Sequence, residues 1–567
     1  MDKRMRIAVI GLSAVLIIVL LIAGLAIKKK LTPSKEEMSL TEYYPVKESE
    51  IMIILQDEIY DKKGLFLDGT VYVDYDTVVE KFNHRFYWDS KENILTYTTP
   101  TEILRAEAGK SEYTVTMTLN PTVKKEEYEI VKVLADKVYL ALDFVGRYSD
   151  LRYQQYEEPN RVIINYQWGE KLFTEVTKAT QLRTEPGIKN PILTELPVGS
   201  SLMYVDMEEA PSKGFVKVMT EDGIIGYVKE KNVKKSFYKN LESSYQAPEY
   251  TSQTRQDKIN LVFHQVTNQD ANANLEPLIK KTKGVNVVSP TWFNILDTTG
   301  AISSLASKDY VDKANELGLE VWGLVSDVNI KVDMGELLSR TSSRDALSDA
   351  LIQAALEYKL NGINIDLEII PSDAGKDYVQ LLRELSVKCR NNGLVLSADN
   401  FIPAPYREYY DLEEQGKLID YVIIMAYNEF VGSEEAGPVA SIGFVEDAIT
   451  NTLKVVPKEK TVIAIPFYSA LWKETADGEL TVVYPAMTNA ANVFTEQGIE
   501  PEWDEVYAYQ YGEYKMDGAT YRIWQEEEKS IEEKMKAIYE ADTAGVAAWK
   551  LGLETEAIWD VIIKYLN

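Results

Sequence analysis

The sequence predicts a multidomain chain: a transmembrane helix, a small α+β domain, a small β-barrel and a C-terminal (β/α)8 TIM barrel. Three observations predict it. Over residues 257–567, eight short β-branched runs alternate with amphipathic helical stretches, the pattern of a parallel barrel wrapped in helices. The run that starts at Ile7 and ends at Ile27 is uncharged, apolar and long enough to span a bilayer. Between these segments the strand-like runs are short and punctuated by Gly and Pro, and 567 residues are too many for one core.

Taken in order, residues 1–30 read as an uncleaved anchor. Lys3, Arg4 and Arg6 precede the apolar run and Lys28, Lys29 and Lys30 follow it, so charge alone does not orient it. Gly24-Leu25-Ala26 keeps a cleaved signal peptide open as the alternative. Polar residues 31–48 read as a stalk. Residues 49–168 hold strand-like runs at 51–55, 70–73, 94–97, 138–142 and 161–166 with a helical stretch at 76–82, a small α+β domain. Residues 169–237 have the turn-rich pattern of a small barrel, and 238–256 are linker-like.

The barrel strands are expected at 259–263, 285–289, 320–325, 362–367, 394–398, 421–426, 462–466 and 545–549. The helix before the fourth strand has Ser343 as its expected cap and Leu347, Leu351, Ala355 and Leu356 on one stripe. Trp292 and Trp322 read as core. Residues 470–530, rich in Tyr and Trp, read as an insertion between the last two strands.

Composition narrows the function. With 89 acidic against 61 basic residues and a net charge of −28, the chain has no electrostatic footprint for nucleic acid. One cysteine, Cys389, permits no intrachain disulfide, and two distant histidines, His84 and His264, make a histidine-rich metal site improbable. No metal or cofactor is expected.

The most informative segment is Asn361-Gly362-Ile363-Asn364-Ile365-Asp366-Leu367-Glu368. Its period-two alternation puts Asn364, Asp366 and Glu368 on one strand face, with the two carboxylates about 6.6 Å apart along it. Paired carboxylates can raise one pKa and make an acid that works near neutral pH. In a (β/α)8 barrel the carboxyl ends of the strands form the site. That end also receives Met425-Ala426-Tyr427-Asn428-Glu429, Phe467-Tyr468 and Trp549. Aromatic faces beside acidic groups suit sugar rings, which are apolar on their faces and polar at their rims. Asp399 and Asn400 either contact a ligand or cap a loop, Tyr468 either lines the pocket or packs in the core, and Glu429 is a candidate for sugar hydroxyls.

These motifs resemble glycoside hydrolase family 18, the chitinase-like enzymes, most of all the peptidoglycan-lytic branch related to spore-cortex hydrolases. The strand-four signature Asp-Gly-x-Asp-x-Asp-x-Glu is met at Gly362, Asp366 and Glu368, and the strand-six signature Met-x-Tyr-Asp at Met425 and Tyr427. Asn361, Asn364 and Asn428 stand where many members carry acids. The resemblance covers about 310 of 567 residues. It implies substrate-assisted retention, with Glu368 as the acid, Asp366 orienting the substrate's acetamido group, Tyr427 bonding the acetamido oxygen and Trp549 flooring the subsite. Asn364, Asn428, Met425, Tyr468 and Glu429 complete the substrate-binding set. Loss of two negative charges at Asn364 and Asn428 should make Asp366 easier to ionise.

Two weaker resemblances accompany it. Residues 72–78 and 86–89 are similar to a copper-amine-oxidase-like N-terminal fold. Residues 181–184, 196–199 and 222–228 are similar to a bacterial SH3-like domain, a module that often binds cell-wall peptides. The expected protein is a single-pass membrane glycosidase with its folded domains outside, acting on N-acetylglucosamine-containing glycan of the cell wall. The alternative is a docking protein that binds such glycan without cleaving it.

Overall fold

The computed structural model describes residues 2–205, 212–328 and 331–566. They form two compact units, Met1–Phe86 with Ala108–Ser111 and Glu126–Ala247, and Tyr87–Glu107 with Glu112–Lys125 and Pro248–Asn567. Among the described residues, Lys3–Leu31 is the one helix long and apolar enough to cross a membrane; its mean hydropathy reaches 3.0 and none of it is buried.

The first unit carries two seven-stranded sheets. In one, Glu50–Leu55 lies parallel to Arg161–Asn165, with Met52 opposite Arg161, and antiparallel to Glu58–Leu67. In the other, Gly169–Glu175 pairs with Phe237–Leu241 and Phe215–Thr220 with Ile225–Lys229, all antiparallel. Its core contains Val176, Leu182, Leu202, Val218 and Val228. Residues 34–44, expected as a stalk, dock on this second sheet instead. The N–H groups of Ser34 and Met38 donate to the carbonyls of Ile188 and Ile192, and the buried Tyr44 hydroxyl donates to the carbonyl of Gly223. Met38, Leu40 and Tyr43 supply apolar surface that a solvated stalk would expose.

The second unit is built on eight parallel strands: β1 (Ile259–His264), β2 (Val287–Ile295), β3 (Glu320–Ser326), β4 (Gly362–Asp366), β5 (Val395–Phe401), β6 (Tyr421–Met425), β7 (Thr461–Pro466) and β8 (Gly545–Trp549). Strand β1 pairs with both β2 and β8, so the sheet closes. Alternation sorts the side chains. Leu261, Phe263, Trp322, Leu324, Ile423 and Ala547 fill the barrel, while Val262, Val321, Ile363, Ile365 and Ile424 face the helices. Gly362 is required where it stands, because an added Cβ would lie 2.7 Å from the Val395 carbonyl and 2.9 Å from the Trp322 indole. Trp292 and Trp322 are fully buried, as expected of core residues. Residues 470–525 form a five-stranded antiparallel sheet between β7 and β8.

Two expectations change here. The helix before β4 runs Thr341–Tyr358, so Ser343 lies inside it rather than capping it. The cap is Asp89, whose carboxylate accepts from the backbone N–H and the hydroxyl of Thr341 at 2.7 and 2.8 Å. Leu347, Leu351 and Ala355 are buried, but Leu356 is 46% exposed and faces water.

The second difference is the source of Asp89. Residues 87–107 and 112–125, read as part of the α+β domain, carry a five-stranded sheet that packs with the barrel helices. Arg105 forks onto Asp345 at 2.6 and 3.0 Å, and Tyr87 donates to Asp377 at 2.7 Å. The Arg344 guanidinium lies 4.6 Å from the centre of the Tyr87 ring. It also pairs with Glu384 at 3.2 Å, both side chains being fully buried. Removing one partner of such a pair strands the other charge away from water. Glu384→Ala is therefore expected to destabilise this unit by about 3–5 kcal/mol, read by calorimetry as a lowered transition.

Candidate functional site

Strand β4 delivers the central groups. Its alternation points Asn364 and Asp366 into the barrel, and the strand ends at Asp366. Glu368 therefore lies two residues past the ladder and needs other restraints. The backbone N–H groups of Glu368 and Ile369 donate to the carboxylate of Asp327 at 2.8 and 2.9 Å. The Tyr410 hydroxyl lies 3.2 Å from both the Leu367 and Glu368 carbonyls and donates to them. Asp327 follows β3 directly and is fully buried.

Asp366, Glu368, Asp399, Met425, Tyr427 and Trp549 all line one cavity of about 810 Å³ at the carboxyl ends of the strands. The rings of Trp549 and Phe263 lie 5.6 Å apart at its base. Asn428 and Glu429 also border it. Asn428, in the left-handed region at φ 63°, accepts from the Tyr468 hydroxyl at 2.6 Å.

Three expected contacts are engaged elsewhere. Asn364 is buried between strands, donating to Asp399 at 2.7 Å and accepting from the Ser397 hydroxyl at 2.6 Å. Tyr468 stands behind Tyr427 and Asn428 rather than on the cavity wall, its ring 6.4 Å from that of Tyr427. The Glu429 carboxylate accepts the backbone N–H and hydroxyl of Ser441, at the start of helix Ile442–Thr452. Of the pair after β5, Asp399 reaches the cavity, whereas Asn400 exchanges amide bonds with Gln415 at 2.9 Å.

The electrostatics reverse one expectation. Burial pushes the Asp366 carboxyl well above its ordinary range, and the neighbouring Glu368 and Asp327 push it further. Asp366 is thus harder to ionise than a free carboxyl despite Asn364 and Asn428, first because it is buried, then because of Glu368, with Asp327 adding a charge the β4 motif does not contain. Burial, then Asp327, raises Glu368, while Arg407 opposes them. Asp399 is raised by burial and by Asp366, with the Asn364 bond opposing.

Sequence reasoning missed Asp327 and Arg407. The rule that pointed to Glu368, a carboxylate at the carboxyl end of a barrel strand, applies equally to Ser326-Asp327. Arg407 lies in a loop with no periodic pattern and left no comparable signal.

The fold and the mouth define an acid-lined (β/α)8 barrel with its cavity at the carboxyl ends of the strands. The family model described as "Glycosyl hydrolases family 18" matches residues 331–554, which include β4 to β8. The chain is 26% identical over 307 residues to the "Uncharacterized glycosylase YvbX" of Bacillus subtilis, covering 52% of this chain and 88% of that one. It is 24% identical over 242 residues to the "Cortical fragment-lytic enzyme" of the same organism, covering 41% of this chain and 56% of that one. Among solved structures, the spore cortex-lytic enzyme SleL of Bacillus megaterium aligns with a TM-score of 0.48 at 18% identity, over 58% of this chain and 78% of that one.

The raised Asp366 has a consequence for stability. Its folded pKa lies above the ordinary 3.8, so its contribution is fully favourable below that value and is lost as pH rises through the folded pKa. Asp366→Asn removes the loss. Its thermal midpoint is expected to exceed the parent's near neutral pH, with the gap narrowing toward about pH 4.

Proposed function

We propose that this protein hydrolyses N-acetylglucosamine-containing glycan of the cell wall by substrate-assisted retention. The observation that carries the reading is the acid pair at the end of β4, Asp366 and Glu368, facing a cavity lined by Tyr427 and Trp549. Burial and the Asp327 carboxylate favour a protonated Glu368, the state a general acid needs before it protonates the glycosidic oxygen. The substrate's acetamido oxygen attacks the anomeric carbon, and the developing oxazolinium is cationic. A carboxyl raised by burial and then by neighbouring acids, as Asp366 is, is drawn down by such a cation and stabilises it. Tyr427 donates to the acetamido group, and Trp549 stacks under the sugar ring. In the same reading, helix Lys3–Leu31 anchors the chain in the cell membrane with the folded units outside, and the sheet of residues 169–241 serves as an SH3-like accessory to wall peptides.

The test uses the full chain in detergent micelles with purified peptidoglycan and with N-acetylglucosamine oligomers, products being read by mass spectrometry. The parent is expected to release fragments with a retained anomeric configuration. Glu368→Gln is expected to lose about 10²–10⁴-fold in rate while still binding the glycan. Absence of products from the parent, with binding intact, would identify a docking protein instead. For the topology, protease added to intact cells is expected to digest the folded units; their protection would refute the outside placement.

A further inference from the structure

The rim of the same cavity carries a group the mechanism does not use. Arg407 lies in the short 3-10 turn Pro405–Tyr410 after β5. Among the described residues lining the cavity it is the one cation, beside the acids Asp366, Glu368, Asp399 and Glu429. Its guanidinium carbon sits 4.0 Å from the centre of the Phe401 ring and 5.1 Å from that of Tyr406. Among the described residues, its side chain makes no hydrogen bond and no ion pair.

That combination is informative because of where it occurs. The chain has 28 more acidic than basic residues (89 against 61), and most of its half-buried arginines find carboxylates, as Arg105 and Arg522 do. A guanidinium presents five N–H donors in a planar fork that matches a carboxylate. Contact with the Phe401 and Tyr406 rings holds the guanidinium without using its N–H donors in hydrogen bonds among the described residues. Arg407 and Glu368 line the same cavity, and the guanidinium opposes the rise of the Glu368 carboxyl.

We propose that Arg407 binds a carboxylate substituent of the glycan beside the scissile bond, on the side served by Glu368. The cavity then selects glycan in which N-acetylglucosamine alternates with a sugar bearing a carboxyalkyl ether, as N-acetylmuramic acid does, over a neutral polymer of N-acetylglucosamine. The proposal rests on the glycosidase reading for its placement. A neutral polymer offers the guanidinium hydroxyl and amide oxygens but no charged partner. Without Arg407 an anionic one would meet no cation among the described residues lining the cavity.

The experiment uses the full chain in detergent micelles and three oligosaccharides of equal length. These are alternating N-acetylglucosamine and N-acetylmuramic acid with free carboxylates, the same oligomer with every carboxylate amidated, and the neutral N-acetylglucosamine oligomer. Affinities are measured with Glu368→Gln and with Glu368→Gln combined with Arg407→Gln. Turnover is measured with the parent, Arg407→Gln and Arg407→Lys. In the Glu368→Gln chain the free-carboxylate oligomer is expected to bind about tenfold tighter than its amide, the loss of one charge-assisted hydrogen bond. Arg407→Gln is expected to erase that difference. It should also lower kcat/KM about tenfold on the anionic oligomer alone, with Arg407→Lys restoring part of it.

Equal losses on anionic and neutral oligomers would assign Arg407 to the electrostatics of Glu368 or to packing on Phe401, and would overturn the proposal. So would equal affinity of the Glu368→Gln chain for the acid and the amide. The binding arm needs no turnover: a parent that cleaves nothing but binds the carboxylate form selectively through Arg407 overturns the glycosidase reading and leaves this assignment standing.

Discussion

Asp327 accepts two consecutive backbone N–H groups, those of Glu368 and Ile369, and the position of Glu368 at the cavity depends on that pair of bonds. The β4 ladder stops at Asp366. Beyond it the chain has no strand partner to hold Glu368 in register, and an unrestrained loop would let its carboxyl swing out of the cavity. A buried carboxylate with two peptide donors is a strong local anchor, because each donor would otherwise be stranded. The anchor is also a charge, so the residue that fixes Glu368 in space raises its pKa as well. Position and protonation state are set together.

The same economy appears around the barrel. Asn364 spans Ser397 and Asp399, tying β4 to β5 beneath the cavity. Glu429 holds the start of the helix that follows β6, and Tyr468 steadies Asn428 in its left-handed conformation. These polar residues support the lining rather than extend it. An acid-rich mouth in an acid-rich chain is self-repelling; burial raises Asp366, Glu368 and Asp399 toward the neutral form, and Arg407 is the one cation among the described residues lining the cavity.

The barrel was legible because its signals are local. Period two in a strand follows from the pleat, and all eight expected runs overlap the observed β1 to β8. The carboxylate pair, Met425, Tyr427 and Trp549 reach the cavity for the same reason, since each sits at the carboxyl end of a strand. The misplacements share one cause, contact with residues remote in sequence. Ser343 looked like a cap, but Asp89 from 252 residues earlier takes that position at Thr341. Residues 34–44 looked solvated until Tyr44 met the Gly223 carbonyl.

By itself the sequence determined the strand and helix alternation, the apolar helix and the chemical character of the mouth, because backbone geometry converts residue spacing into side-chain direction without reference to anything distant. Only the tertiary structure decided that residues 87–107 and 112–125 fold with the barrel, that Asp327 joins Asp366 and Glu368, and that Arg407 packs on Phe401. Those facts turn on which carboxylates and cations come within a few ångströms of one another. Coulomb energies and desolvation depend on that separation and burial, and spacing along a chain does not encode either one.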